Sequence, residues 1–184
     1  MGLVRFSFDV ANQGQIKRAI AGVEQAPKDL TRAWEAIVID FYVTQEQRFA
    51  AEGANEGLPK WAALSKPYAA WKATSKFPGR TILDLSGSLR RSLTQRGGAG
   101  NVTRIEPMSL ELGTAVRTPN GSWNLGMLHQ TGTRKMPPRP PIGLSPGQKN
   151  QISRMIRMEV TDQVERQIIA DATRGMEPSQ ISRH

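Results

Sequence analysis

Two histidines, His129 and the terminal His184, hold all of the histidine proton chemistry of this 184-residue chain. Catalysis near neutral pH needs a proton-exchanging group, a nucleophile with its base, or a metal. The two histidines fall in neither H-E-x-x-H nor H-x-x-x-H, the spacings that place two ligands on one helix face. Cysteine is absent, which removes thiolate nucleophiles, zinc ribbons, iron–sulfur clusters and disulfides. A triad of Ser65, Ser86 or Ser92 with His129 stays open, although no nucleophile-elbow G-x-S-x-G is expected. So does the plainer reading of His129, in Leu128-His129-Gln130-Thr131-Gly132, as a histidine satisfied by backbone partners at a strand end. Gly97 to Gly100 precedes a strand-like run and lacks Lys-Ser/Thr, so it reads as a loop rather than a phosphate cradle. The expectation is a protein that is not an enzyme and uses neither cofactor nor metal.

Charge stands out more than chemistry. Lys and Arg number 25 against 16 Asp and Glu, a net charge of +9. Residues 1–51 hold six basic and six acidic groups, residues 52–105 nine and three, residues 106–129 one and two, and residues 130–184 nine and five. The excess in the second segment comes from Lys60, Lys66, Lys72, Lys76, Arg80, Arg90, Arg91, Arg96 and Arg104. Such a patch could neutralise phosphates, meet an acidic protein ring, or keep the protein in solution. No helix-turn-helix, zinc-finger or ribonucleoprotein motif accompanies it. Trp34, Trp61, Trp71 and Trp123 read as core or interface anchors rather than base-stacking platforms.

These residues are positioned by an α+β set of elements. Leu3 to Val10 alternates Val4, Phe6, Phe8 and Val10 with Arg5, Ser7 and Asp9, the period of a half-buried strand. Ile16, Ile20 and Val23 predict a short helix. After Pro27, the series Leu30, Trp34, Ile37, Val38, Phe41 and Phe49 predicts a long one. Residues 52–60 read as an exposed connection, and Pro67 opens a short helix that ends at Phe77-Pro78-Gly79. Ile82, Leu85, Leu89 and Leu93 predict another, capped near Asp84 or Ser86, with Arg90 and Arg91 outward. Asn101 to Ile105 and Met108 to Val116 form a hairpin turning at Glu106-Pro107. Thr118 to Gly121 marks a turn, Trp123 to His129 an extended piece, and Pro137 to Pro141 polyproline-like chain. Ser145-Pro146-Gly147-Gln148 fits a capping box. Ile152, Ile156, Val160, Val164 and Ile168 then share one stripe, to a stop at Gly175 and Pro178.

The expected arrangement is a single domain over residues 1–176. In it a small antiparallel sheet is packed by a long N-terminal helix, short central helices and a C-terminal helix. Loops at 52–60, 97–100 and 117–124, a proline arm at 133–145 and a flexible tail at 177–184 complete it. No apolar run approaches the ~20 residues of a membrane span, and Met1 to Val10 lacks the features of a signal peptide. Folding in cytoplasm is expected, which empties the sequons at Asn101 and Asn120 of meaning.

Four stretches taken in order resemble a family. They are Trp61-Ala62-Ala63-Leu64-Ser65 with Tyr68 and Lys72; Ile82 to Leu93, including Leu83, Ser86, Gly87 and Leu89; Leu128 to Gly132 with His129 and Gln130; and Pro138-Arg139-Pro140-Pro141-Ile142-Gly143-Leu144-Ser145. Together they resemble the phage virion morphogenesis family, the Mu-like tail completion or neck proteins, over roughly residues 58 to 170. Where that family commonly has Tyr-Ala before the histidine, this chain has Trp123 to Met127, and Pro141 stands where an aromatic is usual.

The resemblance implies a non-enzymatic structural protein of the head–tail connector, a neck or tail completion subunit in the virion. Its implied partners are copies of itself in a hexameric or dodecameric ring, connector or adaptor proteins, tail-tube or tail-terminator proteins, and packaged DNA, with no membrane. The motif residues would then be interface residues, with Pro138 to Leu144 either one ring surface or an arm that clamps the final helix onto its own sheet. Lys66, Lys72, Lys76, Arg80, Arg90, Arg91 and Arg96 would face the lumen or an acidic ring. The alternative is a small basic nucleic-acid-binding protein that assists packaging or regulation.

Overall fold

A computed structural model describes residues 4–9, 29–77 and 79–174. In chain order the elements are β1 (Val4–Asp9), α1 (Thr31–Ala50), α2 (Lys66–Thr74), α3 (Ser88–Thr94), β2 (Asn101–Glu106), β3 (Ser109–Thr114), α4 (Leu125–Thr131) and α5 (Pro146–Arg174). The fold is α+β. The expected helix at Ile16 to Val23, Pro27, the stop at Gly175 and Pro178, and His184 lie outside the described residues.

β3 is the middle strand of a three-stranded antiparallel sheet ordered β1-β3-β2. Val4 stands opposite Thr114 and Asp9 opposite Ser109, while Asn101 and Glu106 flank the same two residues from the other side. Leu110, Leu112 and Thr114 of β3 are buried, because every second side chain of a strand points to one face. On that face α1 buries Trp34, Ile37, Val38, Phe41 and Phe49, and α3 adds Leu89 and Leu93. The carbonyl of Pro107 in the hairpin turn accepts from Leu30 N (2.7 Å) and Trp34 Nε1 (3.3 Å), which ties the start of α1 to the turn. The Asp29 carboxylate accepts from Thr31 N at 2.8 Å, a local turn just ahead of the helix.

α5 opens with the expected reciprocal box: Gln148 N donates to Ser145 Oγ (3.0 Å) and Ser145 N to Gln148 Oε1 (2.8 Å). It runs antiparallel to α1, since Gln151 bonds Asp40 near its start and Gln163 bonds the Asp29 carbonyl farther on. Ile152, Ile156 and Val160 are buried, but Ile168 is 62% exposed. The stripe loses its cover because α5 passes the beginning of α1 at residue 163 and continues for about 11 residues.

Two expected elements differ. The helix predicted from Ile82 begins only at Ser88, because Leu83 (φ 62°) and Gly87 (φ 80°) take left-handed backbone that breaks helical continuation. Asp84 caps no helix; it binds Arg80 and Arg90. The extended piece predicted at Trp123 to His129 is the helix α4, nucleated where Asn124 Oδ1 accepts from Met127 N at 2.8 Å. The 52–60 connection is exposed at Glu56, Gly57, Pro59 and Lys60, but Gly53 is buried.

Candidate functional site

From Arg139 to Ser145 the proline-rich segment is bonded to the body. Arg139, only 5% exposed, donates from Nε to the Ala62 carbonyl (2.6 Å) and from Nη2 to the Ala63 carbonyl (2.7 Å). The next carbonyl, that of Pro140, accepts from Trp61 Nε1 (2.8 Å) and Arg48 Nη2 (3.0 Å). Gln130 Nε2 donates to the Ile142 carbonyl at 3.2 Å, Arg139 N to the His129 carbonyl at 2.8 Å, and Ser145 Oγ to Glu56 at 2.6 Å. Gly132 makes the approach possible: at φ 71° a Cβ there would stand 2.7 Å from Pro138 N and 2.8 Å from the Met136 carbonyl. Pro137 and Pro138 stay exposed, whereas Arg139, Ile142 and Ser145 are buried against the chain's own body.

Three of the four family-like stretches therefore meet. Trp61 bonds Pro140, Leu64 and Ser65 share a cleft with His129 and Arg139, Gln130 bonds Ile142, and Ser65 precedes the first turn of α2. Gly143 lies against the Arg48 guanidinium, 3.3 Å from its Cβ position, and Leu144 packs on the core. The fourth stretch closes a cleft of about 910 Å³, in which Leu83, Ser86, Gly87 and Leu89 face Leu64, His129 and Arg139. The exposed ring of Tyr68 stacks at 5.3 Å on Trp71, at the edge of the same space.

His129 sits in the last turn of α4, not at a strand end. Its Nδ1 is buried and has no hydrogen-bond partner among the described residues, against the expectation of a backbone-satisfied histidine. Burial, and then the nearby charge of Arg139, push its pKa down to about 4. Ser65 and Ser86 share the cleft but neither bonds Nδ1. Ser92 is remote from it, its Oγ held by the Leu89 carbonyl and Thr114. Gly143-Leu144-Ser145-Pro146-Gly147 does have the G-x-S-x-G spacing of a nucleophile elbow, which corrects the expectation that the chain has none. Its serine is fully buried and serves as the cap of α5. Among the described residues no three His, Asp or Glu side chains stand together as a metal site.

The basic segment is largely paired within the chain. Lys60 binds Glu52 (3.2 Å), Arg80 binds Asp84 (3.1 Å), Arg104 binds Glu111 (3.1 Å), and Arg96 binds Glu35. Arg90 joins α3 to α1 by bonding Glu46, and also reaches Asp84 at 3.3 Å. Lys72 is buried with Nζ on the Thr81 carbonyl, and burial holds its pKa below the ordinary lysine range. Lys66, Lys76 and Arg91 form no ion pair among the described residues. The expected single patch thus divides into internal pairs and a few free cations.

Sequence reasoning missed Arg48, which donates to the carbonyls of Gly53 and Pro140 and lies 5.8 Å over the Trp61 ring. Its signal was its place on the buried face of α1, one turn after Thr44 and Gln45. Burial lowers its pKa.

The model of the phage virion morphogenesis family matches residues 11–161. No curated protein and no solved structure matches the chain.

Proposed function

Because the chain belongs to the phage virion morphogenesis family, we propose that it joins tail to head as a subunit of a homo-oligomeric ring at the neck of the virion. Its role is a structural one in phage assembly, and the family match is the observation that carries the reading. The location at the neck and the ring are our extension of it. Two apolar faces on one subunit support the ring. Ile39 and Val43 lie exposed one turn apart on α1, at 65% and 53%. Met158, Ile168 and Ile169 lie exposed on α5, the last two past the beginning of α1. A cyclic ring of identical subunits needs two different surfaces that meet, and exposed apolar faces are usual at contacts. The buried residues of the proline-rich segment serve its own fold, so we place the ring contacts on these helices rather than on Pro138 to Leu144. Assembly in the host cytoplasm and contacts with connector and tail proteins follow from the same reading.

Removal of the protein from the infecting phage tests it. We expect full heads and finished tails that fail to join, and joined particles made without it would overturn the reading. Native mass spectrometry of the ring recovered from particles, compared with an Ile39→Asp/Val43→Asp variant, reports on the α1 face.

A further inference from the structure

The cleft beside His129 holds a charge that no carboxylate among the described residues balances. Buried Asp84 is met by both Arg80 and Arg90, as a buried ion should be. Arg139 is as deeply buried, yet its guanidinium bonds only two backbone carbonyls and meets no carboxylate among the described residues. Lys72 and Lys135 line the same cleft, and its one lining carboxylate, Asp84, is already engaged. Beside Arg139, His129 Nδ1 is buried without a partner. The polar end of the cleft thus lacks an anion.

The other walls are mostly apolar: Leu64, Phe77, Leu83, Leu125 and Met136, with Ser86, Ser88 and a further cation, Arg117, among them, face a volume of about 910 Å³. That is enough room for several side chains, at the upper end of the ~300–1,000 Å³ typical of ligand sites. A nucleic-acid strand would ask instead for a row of cations along its phosphates, and Arg80, Arg90, Arg96 and Arg104 are each held by a carboxylate of this chain. Excess positive charge over apolar walls fits an acidic, apolar polypeptide.

We infer that this cleft is a docking site for an apolar segment of a partner protein that carries an aspartate or glutamate, whose carboxylate pairs with Arg139 while its neighbours fill the walls of Leu64, Leu83 and Leu125. This rests on the assembly reading above, in which the protein works by contacts.

The test uses the full chain and two capped synthetic hexapeptides, Ala-Leu-Phe-Asp-Leu-Leu and the same sequence with Asn for Asp, followed by fluorescence anisotropy. The Asp peptide should bind in the millimolar range or tighter and the Asn peptide at least tenfold more weakly, since a charge-assisted bond is lost. Arg139→Met should remove the difference between the two. Tyr68→Glu alters an exposed edge residue and sets a carboxylate at the cleft, so it should weaken the Asp peptide tenfold with an unchanged thermal melt. If Arg139→Met does not fold, Tyr68→Glu decides. Equal binding of the two peptides, no binding of either, or displacement of the peptide by a duplex oligonucleotide would each overturn the proposal. Loss of the cleft's binding with head–tail joining intact removes this inference and leaves the assembly reading standing. Peptide binding by a protein that phage particles do not need does the reverse.

Discussion

Trp61 Nε1 donates to the carbonyl oxygen of Pro140 at 2.8 Å, across 79 residues of sequence. The indole also stands edge-on to Phe49, with ring centroids 5.2 Å apart, and under the Arg48 guanidinium. One residue therefore fixes the proline-rich segment, the end of α1 and the entry to α2. Trp61→Phe keeps most of the apolar packing and removes the donor, while Arg48 still serves Pro140. The loss is expected to be about 1 kcal/mol, or a fall in Tm of about 2–4 °C for a chain this long. Arg48→Met should cost more, because the Gly53 carbonyl loses its donor and the Pro140 carbonyl keeps only Trp61. Thermal melts that rank the two variants the other way would refute this account of the clamp.

Ser145 links two regions through one hydroxyl, which accepts from Gln148 N and donates to Glu56. Ser145→Ala removes the α5 cap and is expected to lower stability by about 1–2 kcal/mol. Glu56→Gln should weaken only the hydroxyl contact. In a double-mutant cycle by urea denaturation the pair should show coupling; strict additivity would mean that the two act independently.

Arg90 and Arg91 are neighbours with different work. Arg90 is half-buried and bonds Glu46 and Asp84, and its bond to Glu46 raises its pKa, whereas Arg91 is exposed. Arg90→Gln should destabilise the protein by about 1–3 kcal/mol, the range for losing hydrogen bonds to charged groups. Arg91→Glu should leave the melt within about 0.5 kcal/mol of the parent. Arg91→Glu is thus the cleaner probe of any DNA contact: unchanged DNA retention in its particles would exclude that side chain from such a role.

What the sequence made legible was local. The alternation in β3 and the stripe on α1 read correctly because one face of each is buried against a single partner layer. The box at Ser145 read correctly because its four residues contain both halves of the motif. Leu83 gave no sign of its positive φ, since nothing in a leucine announces left-handed backbone. Asn124 did carry the signal for α4, but the neighbouring alternation of Trp123, Leu125 and Met127 imitated a strand. The burial of Arg139 depends on the carbonyls of Ala62 and Ala63, and no local pattern connects residues 76 positions apart. The charge excess was visible, but its cancellation by Glu35, Glu46 and Glu111 was not, because ion pairs are set by tertiary contact.

Gln45 is fully buried in α1, and neither its Oε1 nor its Nε2 has a partner among the described residues. An amide moved from water to such a place loses its solvent bonds without compensation. Gln45→Met keeps length and flexibility and removes the polar atoms. The variant should be more stable than the parent by about 1–3 kcal/mol, read as a higher urea midpoint with unchanged slope. A lower midpoint would mean that Gln45 is satisfied in solution.

His129 makes the fold sensitive to mild acid, and the sign follows from where the proton binds. Burial first and Arg139 second lower its folded pKa to about 4 from an ordinary 6.5. Between those values the unfolded chain takes up a proton that the folded chain refuses, so stability is present above pH 6.5 and falls as the pH drops toward 4. Below pH 4 both states are protonated and the loss levels off. Carboxylates held low by partners, such as Glu35 by Arg96 and Glu52 by the Ile82 N–H, titrate below the upper part of this window. Asp40 is shifted the other way, raised by burial and then by Glu56, so the histidine's share of the fall is the part that a His129 variant removes. His129→Gln, which cannot protonate, should reduce the fall in urea midpoint across the interval from pH 6.5 to 5, and the imidazole resonance that this variant lacks should titrate in the parent with a midpoint near 4. A midpoint near 6.5, with the same pH dependence in the variant, would place the imidazole in water instead of against Arg139.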